Sequence, residues 1–315
     1  MHKPTILPLA LIAILAAACT SAGASGSPPA STAPSASSAV VSTAPSVEPS
    51  ATPDACANGI SKVVTPGKLT IGTDNPAYPP YFAENADGHK TAPWELGDPT
   101  NGQGFESAVG YAIADKLGFP KTTVTWVVVP FANSIAPGPK TYDLDLNQIT
   151  YKPERAQAVD LTKGYYFGNQ ALVTLKTSPL AKVSSIAQLK DHLYGAQVGT
   201  TSLDAINSII APSKPALVYD TNDLAIKALG NKTIDGVMVD LPTADYITNV
   251  QVQNATIVGQ FAGGTPEYFS AALGLGSALT PCVNAAIDSL TTDGTLKTLA
   301  SKWLPFQDSV PTFKP

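Results

Sequence analysis

From residue 68 onward, the pattern of apolar and polar positions alternates between short strands and amphipathic helices. The first predicted strand is 68–72, and a helix begins at Gly104-Phe105 after two polar loops. The apolar residues of that helix recur three and four positions apart, which places them on one stripe. They are Phe105, Ala108, Val109, Ala112, Ile113 and Leu117. Gly118 and Pro120 then end the helix.

The same rules predict further strands and helices along the rest of the chain. The predicted strands are 123–129, 142–149, 194–198 and 234–239, the last one ending at Asp240. The predicted helices are 202–210, one that starts at Thr280-Pro281, and one that carries Leu296, Leu299 and Trp303. Strands that alternate with helices are the signature of an α/β fold. We therefore expect an α/β protein.

The N-terminal residues have a different pattern, which predicts a signal peptide at 1–18. Lys3 precedes an apolar run at 6–18, and this run is shorter than the roughly 20 residues that a membrane-spanning helix needs. The run ends in Leu15-Ala16-Ala17-Ala18-Cys19, which resembles a bacterial lipobox although its Leu stands one place early. Cys19 is then the lipidated first residue of the mature chain. Ordinary cleavage at an Ala-x-Ala site, with an incidental Cys, is the alternative.

Residues 19–55 predict a disordered tether between the lipidated Cys and the folded part. They are almost entirely Ser, Ala, Pro, Thr, Gly and Val, with no aromatic residue. Such a segment cannot bury enough apolar surface to offset the entropy of ordering it. Frequent Pro residues keep it extended, as in a semi-rigid spacer. We expect the folded part to start near Cys56, lifted off a membrane surface.

Charge and composition exclude several kinds of function. The formal net charge is -5, and no Lys/Arg cluster provides a surface for nucleic acid. The three histidines are scattered singly and no Cys-x-x-Cys occurs. We therefore expect no metal site and no cofactor.

Two cysteines remain after Cys19, and we expect Cys56 and Cys282 to form a disulfide. Outside the cytoplasm such bonds persist. Closing a loop of this length would contribute roughly 4–5 kcal/mol in the chain-entropy model. Two buried free thiols are the alternative.

Several short motifs stand in a distinctive order along the chain. They are Leu69-Thr-Ile-Gly-Thr-Asp74 with Tyr78-Pro-Pro, Gly104-Phe105-Glu106, Thr150-Tyr-Lys-Pro-Glu-Arg155-Ala with Val159-Asp160 and Tyr165-Tyr166, Gly199-Thr200-Thr201-Ser202, Val239-Asp240-Leu-Pro242, and Asp293-Gly-Thr-Leu with Trp303. In this order they resemble the polar amino-acid family of bacterial solute-binding proteins, extracellular family 3. The resemblance covers essentially the whole of 68–304.

The resemblance implies a two-lobe fold of the type II periplasmic-binding-protein kind, with the ligand in the cleft between the lobes. Lobe 1 would comprise 57–174 and 275–315, and lobe 2 would comprise 175–274, with crossovers near 171–176 and 269–274. It also implies capture of a free amino acid by hinge closure and delivery to an ABC permease and its ATPase. The protein would be a monomer without catalytic activity, lipid-anchored outside the bacterial cell membrane, at the cell surface or in the periplasm.

The residues themselves suggest how an amino acid would be held. Its carboxylate requires a cation and its ammonium group requires an anion. Arg155 offers a planar fork of donors that matches a carboxylate at two points, and the resemblance gives it that role. Asp240 ends an apolar strand, where open α/β sheets place ligand groups, and suits the ammonium group. The alternatives are a surface Arg at a helix start and an Asp that forms a turn.

Other predicted contacts surround these two charges. Thr200 and Thr201 stand at a strand-to-helix turn, whose N–H and hydroxyl groups suit an anion. Capping of the helix by Thr201 or Ser202 is the alternative, and the two roles can coexist. The resemblance adds the hydroxyl of Thr150 and the rings of Tyr78 and Phe131.

Three further residues bear on the ligand's side chain. Gln148 departs from the small Gly or Ser that the family has there, and so narrows the cleft or contacts the ligand. Asp74 and Glu106 are candidates for the selectivity end, where two carboxylates favour a basic or amide-bearing ligand. Acids in the first turn of a helix are also stabilising by themselves.

Two other functions stay open at this point. A secreted enzyme on the same fold, of the cyclic-acid dehydratase or peptidoglycan lyase type, needs a carboxylate acid or base, and Asp240, Glu106 or the Asp143/Asp145 pair could serve. A ligand-binding subunit of a sensory receptor would act through another protein.

Overall fold

The computed structural model describes residue 56 and residues 60–261, 267–305 and 310–313. The predicted signal peptide, Cys19 and the tether at 19–55 lie outside the described residues. Within the described residues, no helix is both long and apolar enough to cross a membrane.

The described part of the chain alternates strands with helices. The strands are β1 (Leu69–Thr73), β2 (Val124–Val128), β3 (Leu144–Asp145), β4 (Val159–Leu161), β5 (Tyr166–Gly168), β6 (Gln170–Leu175), β7 (Tyr194–Gln197), β8 (Leu217–Tyr219), β9 (Gly236–Asp240), β10 (Ala255–Phe261), β11 (Glu267–Phe269), β12 (Ala272–Gly274) and β13 (Thr312–Phe313). The α-helices are α1 (Phe105–Lys116), α2 (Phe131–Ser134), α3 (Thr201–Ala205), α4 (Asn222–Gly230), α5 (Leu241–Tyr246), α6 (Thr280–Thr292) and α7 (Thr295–Trp303). Short π-helical turns continue α3 and α5, at Ile206–Ile210 and Ile247–Gln251.

These strands form two large mixed sheets. The five-stranded sheet has the order β2-β1-β3-β12-β4, and the six-stranded sheet has the order β13-β10-β6-β9-β7-β8. In the first sheet β1 is parallel to β2 and β3, whereas β12 is antiparallel to its neighbours. In the second sheet β7, β8 and β9 are parallel, and β6 is antiparallel to β9 and β10. A separate antiparallel pair, β5 with β11, stands between the two sheets in chain order.

Each large sheet has its own hydrophobic core. The five-stranded sheet packs Leu69 and Ile71 against α1, α6 and α7. In the six-stranded sheet, successive residues of the fully buried strand β6 belong to different cores, Val173 to one and Leu172 to the other. This alternation follows the two-residue period of a strand, and it accounts for a central strand that is apolar on both faces.

The predicted crossovers, at 171–176 and 269–274, are corrected by these sheets. Residues 171–175 lie within β6, and 272–274 form β12. The segments that pass from one sheet to the other therefore lie a few residues earlier in each case, around β5 and β11. Strand β13 pairs with β10, although the C-terminal residues were expected in lobe 1. The lobe boundaries themselves stay a prediction.

The predicted disulfide is also corrected, because Cys56 and Cys282 are free thiols. Burial and a hydrogen bond to Cys56 raise the pKa of the Cys282 thiol to about 12. The two cysteines are therefore neighbours, as expected, but they are not bonded covalently. Cys282 lies in the core of the five-stranded sheet, so that its thiol behaves as a small apolar group.

The start of α1 depends on a glycine. Gly104 has φ 96°, and a Cβ atom there would stand 2.4 Å from the carbonyl oxygen of Tyr81. The backbone of Gly104 must lie close to the Pro-rich loop because the next two residues donate backbone hydrogen bonds to that loop. Phe105 N donates to Pro80 O and Glu106 N donates to Tyr81 O, both at 2.9 Å.

We expect Gly104→Ala to destabilise the protein by roughly 3 kcal/mol or more, from backbone strain together with the clash. Gly118→Ala is the matched control, because Gly118 also has a positive φ, 82°, but no atom lies near its missing Cβ. Gly118→Ala should lower the free energy of unfolding by only about 1–2 kcal/mol. Urea denaturation of both variants measures the difference, and equal losses would contradict the role of close packing at Gly104.

Candidate functional site

A cleft of about 760 Å³, including its open mouth, lies between the two large sheets. Its walls include the carboxyl ends of β1, β7 and β9, which is where α/β sheets place ligand groups. Nine of the ten predicted site residues line it: Asp74, Tyr78, Phe131, Gln148, Thr150, Arg155, Thr200, Thr201 and Asp240. The tenth, Glu106, does not line it.

The guanidinium group of Arg155 joins the two sides of the cleft. The side chain is only 7% exposed, in a 3-10 turn at Arg155–Gln157. Its Nη1 donates to the carbonyl oxygen of Thr150 at 2.5 Å, and its Nη2 donates to that of Gly199 at 2.8 Å. It also lies over the ring of Phe131, 5.5 Å from the centroid. A guanidinium has five N–H donors, so these two bonds leave donors for an anion.

The carboxyl group of Asp240 lies in a partly buried, negatively charged environment. Burial, followed by the nearby carboxylate of Glu267, raises its pKa to about 7, whereas Gln170 and Arg155 act in the opposite direction. Gln170 Nε2 donates to Asp240 Oδ1 at 2.8 Å and approaches Glu267 Oε2 at 2.9 Å. A second carboxylate so close makes a cation at this point favourable.

Gln170 is hydrogen-bonded to several residues of the candidate site, and sequence reasoning missed it. It is the first residue of β6, is 2% exposed, and accepts a hydrogen bond from Ser202 Oγ at 2.6 Å through its Oε1. Its Nε2 also approaches Thr201 Oγ1 at 3.2 Å. Gln170 thereby connects the end of β9 with the start of α3. No motif pointed to it, because the contacts are long-range in sequence.

Thr150, which forms an isolated bridge with Phe269, meets Thr201 at the start of α3. Thr150 Oγ1 lies 3.5 Å from Thr201 Oγ1. Thr200 caps α3, since its hydroxyl oxygen accepts from Leu203 N at 3.2 Å. The cap of α3 is therefore Thr200, and not Thr201 or Ser202 as the sequence suggested, while the hydroxyl of Thr201 faces Thr150.

The aromatic residues and Asp74 form another part of the wall. Burial and a hydrogen bond to Asp223 raise the pKa of Tyr78 well above its usual value, so its hydroxyl stays protonated. Asp74 Oδ2 accepts from Phe131 N at 3.3 Å, and burial raises the pKa of this carboxyl. Asp223 lies in the first turn of α4, and no motif in the sequence pointed to it.

Glu106 is the one predicted contact that the structure removes from the cleft wall. It is fully buried in α1, and it accepts hydrogen bonds from Gln148 N at 2.8 Å, from Gln148 Nε2 and from the hydroxyl of Tyr165. Burial raises its pKa to about 7. Its role is therefore to hold Gln148, which does line the cleft.

Other lining residues were not anticipated. They include Thr73, Asn75, Asn147, Gln197, Ser202, Thr221 and Asn222. Ser202 could have been found, because it follows Thr200 and Thr201 in the same motif. Asn147 could not, and its Nδ2 is buried without a hydrogen-bond partner among the described residues. In the same described residues, no group of three His, Cys, Asp or Glu side chains could hold a metal ion.

The chain is similar to a known protein family and to solved structures. The model of the bacterial extracellular solute-binding proteins, family 3, matches residues 69–306. A probable histidine-binding protein of Campylobacter jejuni is 27% identical over 204 residues, which are 64% of this chain and 76% of that protein. An ancestral arginine-binding protein solved with bound glutamine has a TM-score of 0.62 at 26% identity, over 76% of this chain and 99% of that one.

A third comparison concerns an ancestral amino-acid-binding protein that is a precursor of cyclohexadienyl dehydratase. It has a TM-score of 0.59 at 25% identity, over 75% of this chain and 95% of that chain. The predicted α/β fold of the type II binding-protein kind is confirmed by these neighbours and by the two mixed sheets. On the match over 69–306, this chain belongs to the bacterial extracellular solute-binding proteins, family 3.

Proposed function

We propose that the protein captures a free amino acid outside the cytoplasm and delivers it to an ABC importer, without catalysing a reaction. One observation carries this proposal. Arg155 and Asp240 line the same cleft, and each acts electrostatically on the pKa of the other. The carboxylate and the ammonium group of a free amino acid are attached to the same carbon atom. A cation and an anion in one cleft can therefore bind both groups at once.

The energy available is sufficient for useful affinity. Micromolar binding requires about 8 kcal/mol, and a ligand of around ten heavy atoms could supply it under the ceiling of about 1.5 kcal/mol per atom for very small ligands. Asp74 and the hydroxyl of Tyr78 favour a polar or basic side chain. The histidine-binding relative and the glutamine-bound ancestral protein accord with that ligand class.

The cellular part of the proposal rests on the N-terminal sequence and on the family. Cleavage of 1–18, lipidation of Cys19 and the tether at 19–55 would hold the cleft outside the bacterial membrane. There a permease and its ATPase would recognise the ligand-bound form of a monomeric receptor.

An enzyme on the same fold is the second candidate, because Asp240 has a pKa near neutrality, as a general acid or base requires. The dehydratase precursor among the neighbours is in keeping with this alternative. The Arg155–Asp240 pair argues for holding the ligand intact, since both charges are used in binding.

A screen of the twenty amino acids by thermal shift tests the proposal. We expect at least one polar or basic amino acid, at a hundred times its Kd, to raise the melting temperature by about 5–10 °C, because it binds only the folded state. Its methyl ester and its N-acetyl derivative are the matched controls, and each should lose the shift. No response to any amino acid, with turnover of a cyclic acid, would favour the enzyme.

A further inference from the structure

Gln148 has an unusual conformation for a residue with a side chain. Its φ is 49°, in the left-handed region that few residues other than Gly adopt. Both of its nitrogen donors nevertheless bind the same carboxylate. The backbone N–H donates to Glu106 Oε1 at 2.8 Å, and the side-chain Nε2 donates to Glu106 Oε2. This paired contact accounts for the strained backbone.

The contact fixes which way the amide group of Gln148 points. When Glu106 is ionised its carboxylate only accepts hydrogen bonds, so the NH₂ group faces Glu106 and Oε1 faces away from it. Gln148 lines the cleft, and its Oε1 accepts no hydrogen bond from the described residues. An acceptor with a fixed direction is therefore available to a ligand.

Glu106 is itself held in place, which makes this acceptor a preorganised one. The hydroxyl of Tyr165 donates to Glu106 Oε1, and Tyr165 is buried and packs against Phe105, with ring centroids 6.2 Å apart. The backbone of Glu106 is fixed at the start of α1. If the side-chain amide of Gln148 turned over, its Oε1 would face the buried carboxylate of Glu106, which is unfavourable.

A second acceptor lies on the neighbouring strand. Asp74 directly follows β1, and Gln148 follows β3, which pairs with β1. Both residues line the cleft. The wall of the cleft formed by Asp74 and Gln148 therefore presents hydrogen-bond acceptors.

We propose that Gln148 determines side-chain specificity, and that Glu106 is its positioning residue: the fixed Oε1 selects amino acids whose side chains carry N–H donors. The inference rests on the proposed function, since it concerns the same cleft. A bound side chain without donors would leave the amide oxygen unpaired and desolvated, which is costly. An amide or guanidinium side chain would satisfy it.

The test compares ligands of similar size, by calorimetric titration: glutamine with methionine, and lysine with norleucine. We expect the wild-type protein to bind the donor-bearing member of at least one pair tenfold or more tightly. Gln148→Met should reduce that ratio about tenfold, mainly by weakening the donor-bearing ligand. Gln253→Met is the control, because Gln253 is exposed and outside the cleft, and it should leave the ratio unchanged.

Glu106→Gln tests the positioning role separately. The substitution lets the amide of Gln148 turn over and present its NH₂ group, so the affinity for glutamate relative to glutamine should rise about tenfold. A melting curve without ligand checks folding, and if this variant does not fold, Gln148→Met decides alone. Equal weakening of both members of a pair by Gln148→Met would show a merely structural role and overturn the inference. Failure of every amino acid to bind the wild type would overturn the proposed function and the inference with it.

Discussion

Arg155→Ala is expected to weaken amino-acid binding by a factor of about a hundred to several thousand. Its guanidinium is almost fully buried and is the cation of the cleft. Truncating one partner of a buried, hydrogen-bonded charge pair typically costs about 2–5 kcal/mol, much of it from the partner that remains unpaired. Here that partner is the carboxylate of the ligand. The variant also loses the bonds to Thr150 O and Gly199 O that join the two sides of the cleft.

Lys152→Ala is the matched control for this substitution. Lys152 is also a cation beside the cleft, and it pairs with Asp204 at 2.5 Å, but this pair is substantially exposed. Exposed pairs contribute about 0–1 kcal/mol, so the affinity should change less than about fivefold. Calorimetric titration of both variants gives the comparison. Loss of affinity in Lys152→Ala as large as in Arg155→Ala would show that general positive charge, rather than the fork of Arg155, binds the ligand.

The parts of the fold that could be predicted are those with a periodic pattern. The stripe from Phe105 to Leu117 gave α1 almost to the residue, and the β-branched run at 123–129 gave β2. The predicted strand at 142–149 shortens to Leu144–Asp145, although the backbone N–H groups of Asp143 and Leu146 still donate to Thr70 O and Gly72 O of β1.

In the site, too, residues that stand in local motifs could be predicted, whereas residues brought in by long-range contacts could not. Arg155, Asp240 and the threonines stand in motifs, so the chain itself indicated that they would share a cleft. Gln170 contacts Asp240 and Glu267 across 70 and 97 residues of sequence. Glu106 was expected at the selectivity end of the cleft as a candidate carboxylate, but its hydrogen bonds to Gln148 and Tyr165 show that it lies behind Gln148. Burial of a carboxylate cannot be read from its position in a motif.

Asp240→Asn is expected to weaken binding by about a hundredfold while it stabilises the free protein. The ammonium group of the ligand loses its anion, and a buried cation without a partner is costly. In the free protein the change has the opposite sign. Burial raises the folded-state pKa of Asp240 from the usual value near 4 to about 7, so stability falls as the pH rises from about 4 to 7, and the neutral amide removes that cost. Asn keeps an oxygen that accepts from Gln170 Nε2, so the melting temperature without ligand should rise by a few degrees.

The pH dependence of binding follows from the same group. The ligand's ammonium stays protonated well above pH 7, whereas Asp240 must be ionised to hold it. Affinity should therefore fall as the pH falls through 7, by up to tenfold per unit, and be about thirtyfold weaker at pH 5.5 than at pH 8. The groups that act on Asp240 are Glu267, Glu106, Gln170 and Arg155. Glu106 has a pKa of about 7 as well, so the slope that remains in Asp240→Asn measures its contribution. If affinity depends on pH as steeply in Asp240→Asn as in the wild type, the pH dependence belongs to Glu106. If Asp240→Asn binds the ligand within threefold of the wild-type affinity, Asp240 does not hold the ammonium group, because neutralising the anion that holds a buried ammonium group must cost much more affinity than that.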